Sequence, residues 1–333
     1  MTNIFSAQSH FEKYANVKSH LLYSPNSKEP EPVISILIPT FNDSPYFEEA
    51  LISALSQEGD FPYEIIICDN TPLRSGKNKT QKIIEDLSSN KIYYYRNEEN
   101  IGMIGNWNRC IELAKSELIT FCHSDDKLEA NCLSTLLSIH ENHPDKCITA
   151  SYNTIDRDGK LLRRKKTNER LFKFFRIRNV HKYSNFDIFM QSPGFGVGCL
   201  FEKEKMINLG GFSEEYYPSS DYALLTKYCF EYGMIYSEIP TFSYRKASNE
   251  SFNTWTLFAD RDLFFRRCMI PQFFLPEIVL KFIMLANYKV SSDEFQRIWG
   301  KSYSKKKHIH NIIYRFVIKV TDIRKINWCF QRY

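Results

Sequence analysis

Four strand-like runs, at residues 33–38, 64–68, 92–95 and 118–122, each stop at a polar tip, and each pair is separated by a stretch of helical spacing. No other feature constrains the fold as strongly. Strands of four to six residues joined by helix-length crossovers lie parallel, with right-handed connections. The first helix places Phe47, Leu51 and Leu55 on one face, with Ser44 and Pro45 as its expected N-cap and first residue. The second runs through Ile83, Ile84 and Leu87, and the third spans 104–115. The expected class is α/β, a Rossmann-like, mostly parallel sheet flanked by helices. In such a sheet the carboxyl ends of the strands open on a crevice. The tips at 40–43, 69–71, 96–100 and 123–126 should therefore converge there.

The run at 118–122 carries the most chemistry. Five uncharged residues lead into His123, Ser124, Asp125 and Asp126, a buried strand ending in adjacent carboxylates. Asp125 and Asp126 become site candidates, although Asp126 could equally cap the helix expected at 129–142. The crevice is of nucleotide size and rich in acids. No GxGxxG follows the first strand and no GxxxxGK[ST] occurs anywhere, which disfavours dinucleotide and P-loop phosphate binding. A phosphate partner beside carboxylates needs a bridging cation, and Mg2+ is commonly held by one or two carboxylates plus substrate phosphates.

Beyond the strand at 147–151 the chain changes character. Residues 152–162 read as a strand pair turned at Asp158 and Gly159. A glycine-rich stretch at 193–198, a strand at 199–201 and the Gly210-Gly211-Phe212 end of a short helix follow. A polar loop at 216–221 leads into a helix at 222–232, where Asp221 is either a cap or a site residue. From residue 254 the apolar spacing is helical. The expected organisation is an N-terminal arm (1–32), a nucleotide-binding half (33–150), a second half facing the other reactant (151–253) and a helical, basic extension (254–333).

The total charge of +5 conceals two basic segments, net +9 over 157–182 and net +8 over 301–333, which leave the remaining residues at −12. Such segments suit an anionic partner. Nine cysteines without a CxxC pair, and a polar N-terminal stretch unlike a signal peptide, point to reduced thiols in a cytoplasm. The spacing of Cys122, His123, Cys132, His140, His143 and Cys147 matches no common zinc module. No apolar run approaches the roughly 20 residues of a membrane span; the nearest, 268–288, is interrupted by Glu277 and Lys281.

Taken together, residues 33–251 resemble a family 2 glycosyltransferase of the GT-A type. VISILIPTFN (33–42) resembles the opening strand and its PxYN loop, with Phe41 in the tyrosine's place. IIICDNT (65–71) resembles the second strand, whose first aspartate, here Asp69, holds the nucleoside in the family. Asn100-Ile101-Gly102 through Asn108 resembles the NxGxxxxxN segment, and FCHSDD (121–126) the strand that delivers the DxD metal motif. Gly210-Gly211-Phe212 through Ser220-Asp221 resembles the GGF…ED segment, whose aspartate is the catalytic base. The chain departs from the pattern at His123, which replaces the first acid of DxD, at Ser220, which replaces the glutamate before the base, and at Trp107, where a basic residue is common.

The resemblance implies an inverting transfer of a sugar from a nucleoside diphosphate, UDP first among them, to an acceptor hydroxyl. Asp221 would be the base. Mg2+ or Mn2+ would sit on Asp125 and Asp126, with His123 beside them. Pro39, Thr40, Phe41, Asn42, Asp69, Asn100, Gly102, Asn108, Ser124 and Arg245 would hold the donor, Arg245 by supplying positive charge to the diphosphate. The basic segments place the enzyme in the cytoplasm, peripheral on the inner face of the cell membrane, extending a lipid-linked glycan in cell-surface polysaccharide synthesis. Nucleic acid is not expected as a partner, since no recognition motif accompanies the charge. The alternatives are a non-catalytic sugar-binding or scaffold protein with a degenerate site, and a sugar nucleotidyltransferase.

Overall fold

In the computed structural model, residues 5, 8–25, 30–163, 179–190, 196–246, 254–274, 276–282 and 284 are described. The first sheet contains β1 (Ser19–Tyr23), β2 (Ile34–Thr40), β3 (Tyr63–Asp69), β4 (Ile92–Asn97), β5 (Leu118–Phe121) and β10 (Phe201–Glu202), in the order β1-β4-β3-β2-β5-β10. The four inner strands are parallel, as the alternation requires, and antiparallel strands close both edges. The expected crossovers are α1 (Phe47–Leu55), α2 (Lys79–Leu87) and α3 (Gly102–Leu113).

Every residue of β2 and β3 is buried, so these runs are apolar on both faces instead of alternating. Side chains still alternate in direction. Ile34, Ile36, Ile38, Ile65 and Ile67 pack with Phe47, Ala50, Leu51 and Ala54 of α1, while Leu37, Ile66 and Cys68 pack on the opposite face with Ile104 and Ile111 of α3. Each of these isoleucines contributes about 1.5–3 kcal/mol by leaving water, so the central strands anchor whatever sits at their tips.

The segment expected as an arm is tied to the body where it is described. β1 pairs with β4, and the Arg109 guanidinium of α3 donates to the Tyr14 and Val17 carbonyls, both at 2.8 Å, and to Ser19 Oγ at 2.6 Å.

A second sheet has the order β6-β11-β7-β8, formed by β6 (Lys127–Leu128), β7 (Cys147–Ile155), β8 (Leu161–Arg163) and β11 (Met234–Arg245); β9 (Val180–Tyr183) also pairs with β11. The β7–β8 hairpin turns at Asp158 and Gly159 as expected, with Asp156 Oδ1 accepting the Asp158 and Lys160 N–H groups. Sequence reading does not find β11, whose Glu238 and Pro240 interrupt the strand pattern. The fold absorbs them as register shifts between Ser237 and Phe242, and β11 lies parallel to β7 on either side.

Further helices among the described residues are α4 (Cys132–Asn142), α5 (Asn185–Met190), α6 (Lys203–Asn208), α7 (Ser220–Tyr232) and α8 (Trp255–Met269), and residues 277–282 are helical as well. The helix α8 is the described start of the expected helical extension. Residues 285–333, with the basic stretch at 301–333, lie outside the described residues, as do 164–178 of the other basic segment and 193–195 of the glycine-rich one.

Candidate functional site

The strand tips converge on an open cleft of about 600 Å³. Pro39, Thr40 and Phe41 line it from the end of β2, and Asn70 from the end of β3. The first turns of α3 add Gly102, Met103, Asn106 and Trp107, preceded by Asn100. His123, Ser124, Asp125 and Asp126 enter beyond β5, and Asp221, Tyr217, Pro218 and Tyr244 complete the lining.

His123, Asp125 and Asp126 each offer one ligand atom, and the three atoms lie within 4.8 Å of one another. Asp126 is buried, and burial, together with the charge of Asp125, pushes its carboxyl well above the ordinary carboxylate range. Burial lowers the His123 value, which keeps the imidazole neutral with a lone pair free. Trp107 stacks on the His123 ring at 5.1 Å between centroids and 15° between planes, fixing its orientation. Two carboxylates and a neutral imidazole suit a divalent cation. The residues present fit a cation here.

Two local expectations change. Ser44 does not cap α1; Tyr46 occupies the N-cap without a side-chain bond, and Ser44 Oγ donates instead to the Ser124 carbonyl across the cleft loop. Asp126 caps no helix, because α4 begins only at Cys132, and its Oδ1 accepts the Arg245 N–H.

Asp221 lies in the first turn of α7, half-buried in the cleft wall. One carboxylate oxygen accepts the Tyr222 N–H at 2.7 Å, so the residue satisfies a helix terminus and faces the cleft at once. Burial pushes its pKa up to about 6, against the opposing pull of the backbone N–H donors. Ser220, in the place of the expected glutamate, donates to the Ser213 carbonyl at 2.6 Å and ties the helix start to the preceding loop.

The structure thus gathers Pro39, Thr40, Phe41, Asn100, Gly102, His123, Ser124, Asp125, Asp126 and Asp221 around one hollow. Four expected donor contacts are not among its lining. Asp69 is fully buried behind the wall, accepting hydrogen bonds from Thr71 N, Asn78 Nδ2 and Tyr94 Oη. Those bonds tie its carboxylate to the turn after β3 and to β4. Asn42 is in the left-handed region, φ 58°, and donates its N–H to Thr71 Oγ1 as a turn residue. Asn108 exchanges two 2.8 Å hydrogen bonds with the Phe212 backbone and so holds the glycine loop. Arg245 is buried behind the Asp125–Asp126 loop, with its donors directed at protein oxygens.

Sequence reading missed Asn70, Met103 and Asn106 as lining residues. Met103, Asn106 and Trp107 have the i, i+3, i+4 spacing that puts them on one face of α3, a signal that was available. Asn70 stands one residue beyond the end of β3. Its amide donates to Asn100 Oδ1 and accepts from Asn97, which also donates to Asn106, so a chain of neutral amides underlies the cleft floor.

Residues 35–195 match the sequence model of glycosyl transferase family 2. Over those residues the chain is similar to that family. The chain is 34% identical over 108 residues to the GalNAc(5)-diNAcBac-PP-undecaprenol beta-1,3-glucosyltransferase of Campylobacter jejuni, 32% of this chain and 34% of that one. It is 32% identical over 117 residues to the abequosyltransferase RfbV of Salmonella typhimurium, 34% of each chain. These matches span about a third of the relatives' length. In three dimensions the chain resembles S. aureus TarS 1-349 in complex with UDP-GlcNAc, with a TM-score of 0.58, 17% identity, and coverage of 86% of this chain and 79% of that one. The fold is accordingly that of the GT-A glycosyltransferases.

Proposed function

We propose that the protein transfers a sugar from a nucleoside diphosphate, UDP by preference, to an acceptor hydroxyl with inversion at the anomeric carbon. The observation that carries this reading is that Asp221 lines the same cleft as His123, Asp125 and Asp126. Asp221, with a pKa near 6, is ionised at neutral pH and basic enough to take the acceptor proton as the hydroxyl attacks. A divalent cation held by Asp125, Asp126 and His123 would carry the charge growing on the leaving diphosphate. Thr40 supports donor binding: the residue lines the cleft at the end of β2, and its buried hydroxyl has no hydrogen-bond partner among the described residues. The Campylobacter relative, named for a lipid-diphosphate-linked glycan, and the TarS complex with UDP-GlcNAc favour the same chemistry.

The test is turnover of a panel of nucleoside-diphosphate sugars with Mn2+, followed by Asp221→Asn. Loss of the base should lower the rate by about 10²- to 10⁴-fold, and wild-type activity should fall below about pH 6 as Asp221 becomes protonated. EDTA should stop the reaction. An Asp221→Asn variant with full turnover would remove this residue from the mechanism.

A lipid-linked acceptor at an anionic membrane face fits the basic composition of 301–333 and a run of exposed apolar side chains, Phe274, Ile278, Val279 and Phe282. Among the described residues no helix is long and apolar enough to cross a membrane, so the reading is of a protein that lies on the surface.

A further inference from the structure

Arg245 closes β11 with no exposed surface, behind the loop whose bound diphosphate it was expected to meet. Its backbone N–H donates to Asp126 Oδ1 at 2.9 Å, and its Nε–H donates to the Asp125 carbonyl at 2.8 Å. One terminal nitrogen donates to the Asp156 and Arg157 carbonyls in the β7–β8 turn, both at 3.1 Å, and the other pairs with the Glu49 carboxylate of α1. The guanidinium also lies over the Tyr46 ring, 4.4 Å from its centroid. A guanidinium offers five N–H donors in a rigid fork, and four of them are accounted for here by protein oxygens.

The bonds fall on both acidic residues of the loop. Holding the Asp125 carbonyl fixes the peptide plane between Asp125 and Asp126. Anchoring Asp126 Oδ1 leaves Oδ2 as the oxygen turned toward His123, 4.0 Å from its Nδ1. Glu49 braces the arrangement from the far side, accepting from Arg245 and, at 2.9 Å, from Lys127 Nζ, so the residue after Asp126 is held as well. The hairpin backbone closes over this contact: a Cβ added at Gly159 would lie 2.8 Å from Glu49 Oε1.

We propose that Arg245, oriented by Glu49, is a positioning residue that holds the Asp125–Asp126 loop in the conformation turning both carboxylates toward one cation, while touching neither cation nor sugar nucleotide. The proposal rests on the reading of that cluster as a divalent-cation site. Lysine at 245 would keep the charge but could not reach the Asp125 carbonyl, the hairpin carbonyls and Glu49 together.

The experiment is Mn2+ binding to the full chain, followed by electron paramagnetic resonance, for wild type, Arg245→Lys, Glu49→Gln, the double variant and Leu136→Ala. Leu136 is buried in α4 outside this network, so its truncation controls for lost stability alone. Arg245→Lys should weaken Mn2+ binding by about 10- to 100-fold, the range seen when groups that orient metal ligands are removed. Glu49→Gln should shift affinity the same way by less, and the double variant should be no weaker than Arg245→Lys, because Glu49 acts through Arg245. Leu136→Ala should bind as wild type does. Wild-type affinity in Arg245→Lys, or an equal loss in Leu136→Ala, would overturn the positioning role while leaving the cation site standing. A wild-type protein that binds no Mn2+ would overturn both.

Discussion

Replacing Asp221 by asparagine should make the protein more stable at neutral pH while removing its proposed base. The carboxyl has a pKa of 3.8 in the unfolded chain and about 6 in the cleft, where burial disfavours its charge. Each pH unit between the two values corresponds to about 1.36 kcal/mol, so keeping Asp221 ionised costs the folded state up to about 3 kcal/mol. Partial exposure to water reduces this to about 1.5–3 kcal/mol. The sign follows from proton binding. Between pH 3.8 and 6 the folded form holds more protons than the unfolded form, so stability falls as pH rises through that window and levels off above it. Asparagine carries no charge, and its Oδ1 can still accept the Tyr222 N–H, so it avoids the penalty without losing the helix-terminus bond. Urea unfolding of both proteins without nucleotide or metal measures the difference. Asp221→Asn should gain on wild type by up to about 2 kcal/mol between pH 4.5 and 7.5. A stability difference that is flat across this range, or a variant less stable than wild type at pH 7.5, would mean that Asp221 is not desolvated in the cleft and would remove the physical basis for its pKa.

Two further outcomes test the site and its surroundings. His123→Asp exchanges a nitrogen ligand for a harder oxygen, so competition binding should show the preference moving from Mn2+ toward Mg2+; an unchanged ratio would place His123 outside the coordination sphere. If the basic and apolar features of the C-terminal region hold the protein to an anionic bilayer, it should sediment with phosphatidylglycerol vesicles at low salt and leave them at high salt, each basic residue near the surface contributing about 1 kcal/mol. Failure to sediment at low salt would refute the membrane reading.

Much of the site is legible in the sequence because parallel strands place their tips together whatever the intervening helices contain. That rule brings Thr40, Asn70, Gly102 and Asp125 to one hollow across more than eighty residues of chain. Side-chain direction at a tip is a different matter. Asp69 and Asn70 are neighbours, yet the first is buried behind the wall and the second lines the cleft. Motif spacing does not encode that choice. The surroundings of Arg245 are hidden for a different reason: β11 carries it behind the Asp125–Asp126 loop, and Glu238 and Pro240 disguise β11 as a loop in the sequence. Asn108 is expected beside the donor, whereas its amide exchanges hydrogen bonds with the Phe212 backbone 104 residues away.

The border of sequence similarity and the border of the folded body do not coincide. Similarity to the family model starts at residue 35 and stops at 195, while β1 lies before it and α7, with Asp221, and β11, with Arg245, lie after it. A fragment cut at residue 35 would strip β4 of its outer neighbour, turning a capped rim into an open template for pairing with other chains. It would also leave the Arg109 guanidinium facing the places where Tyr14, Val17 and Ser19 had been. What reads as a dispensable leader is a lid on the sheet's flank.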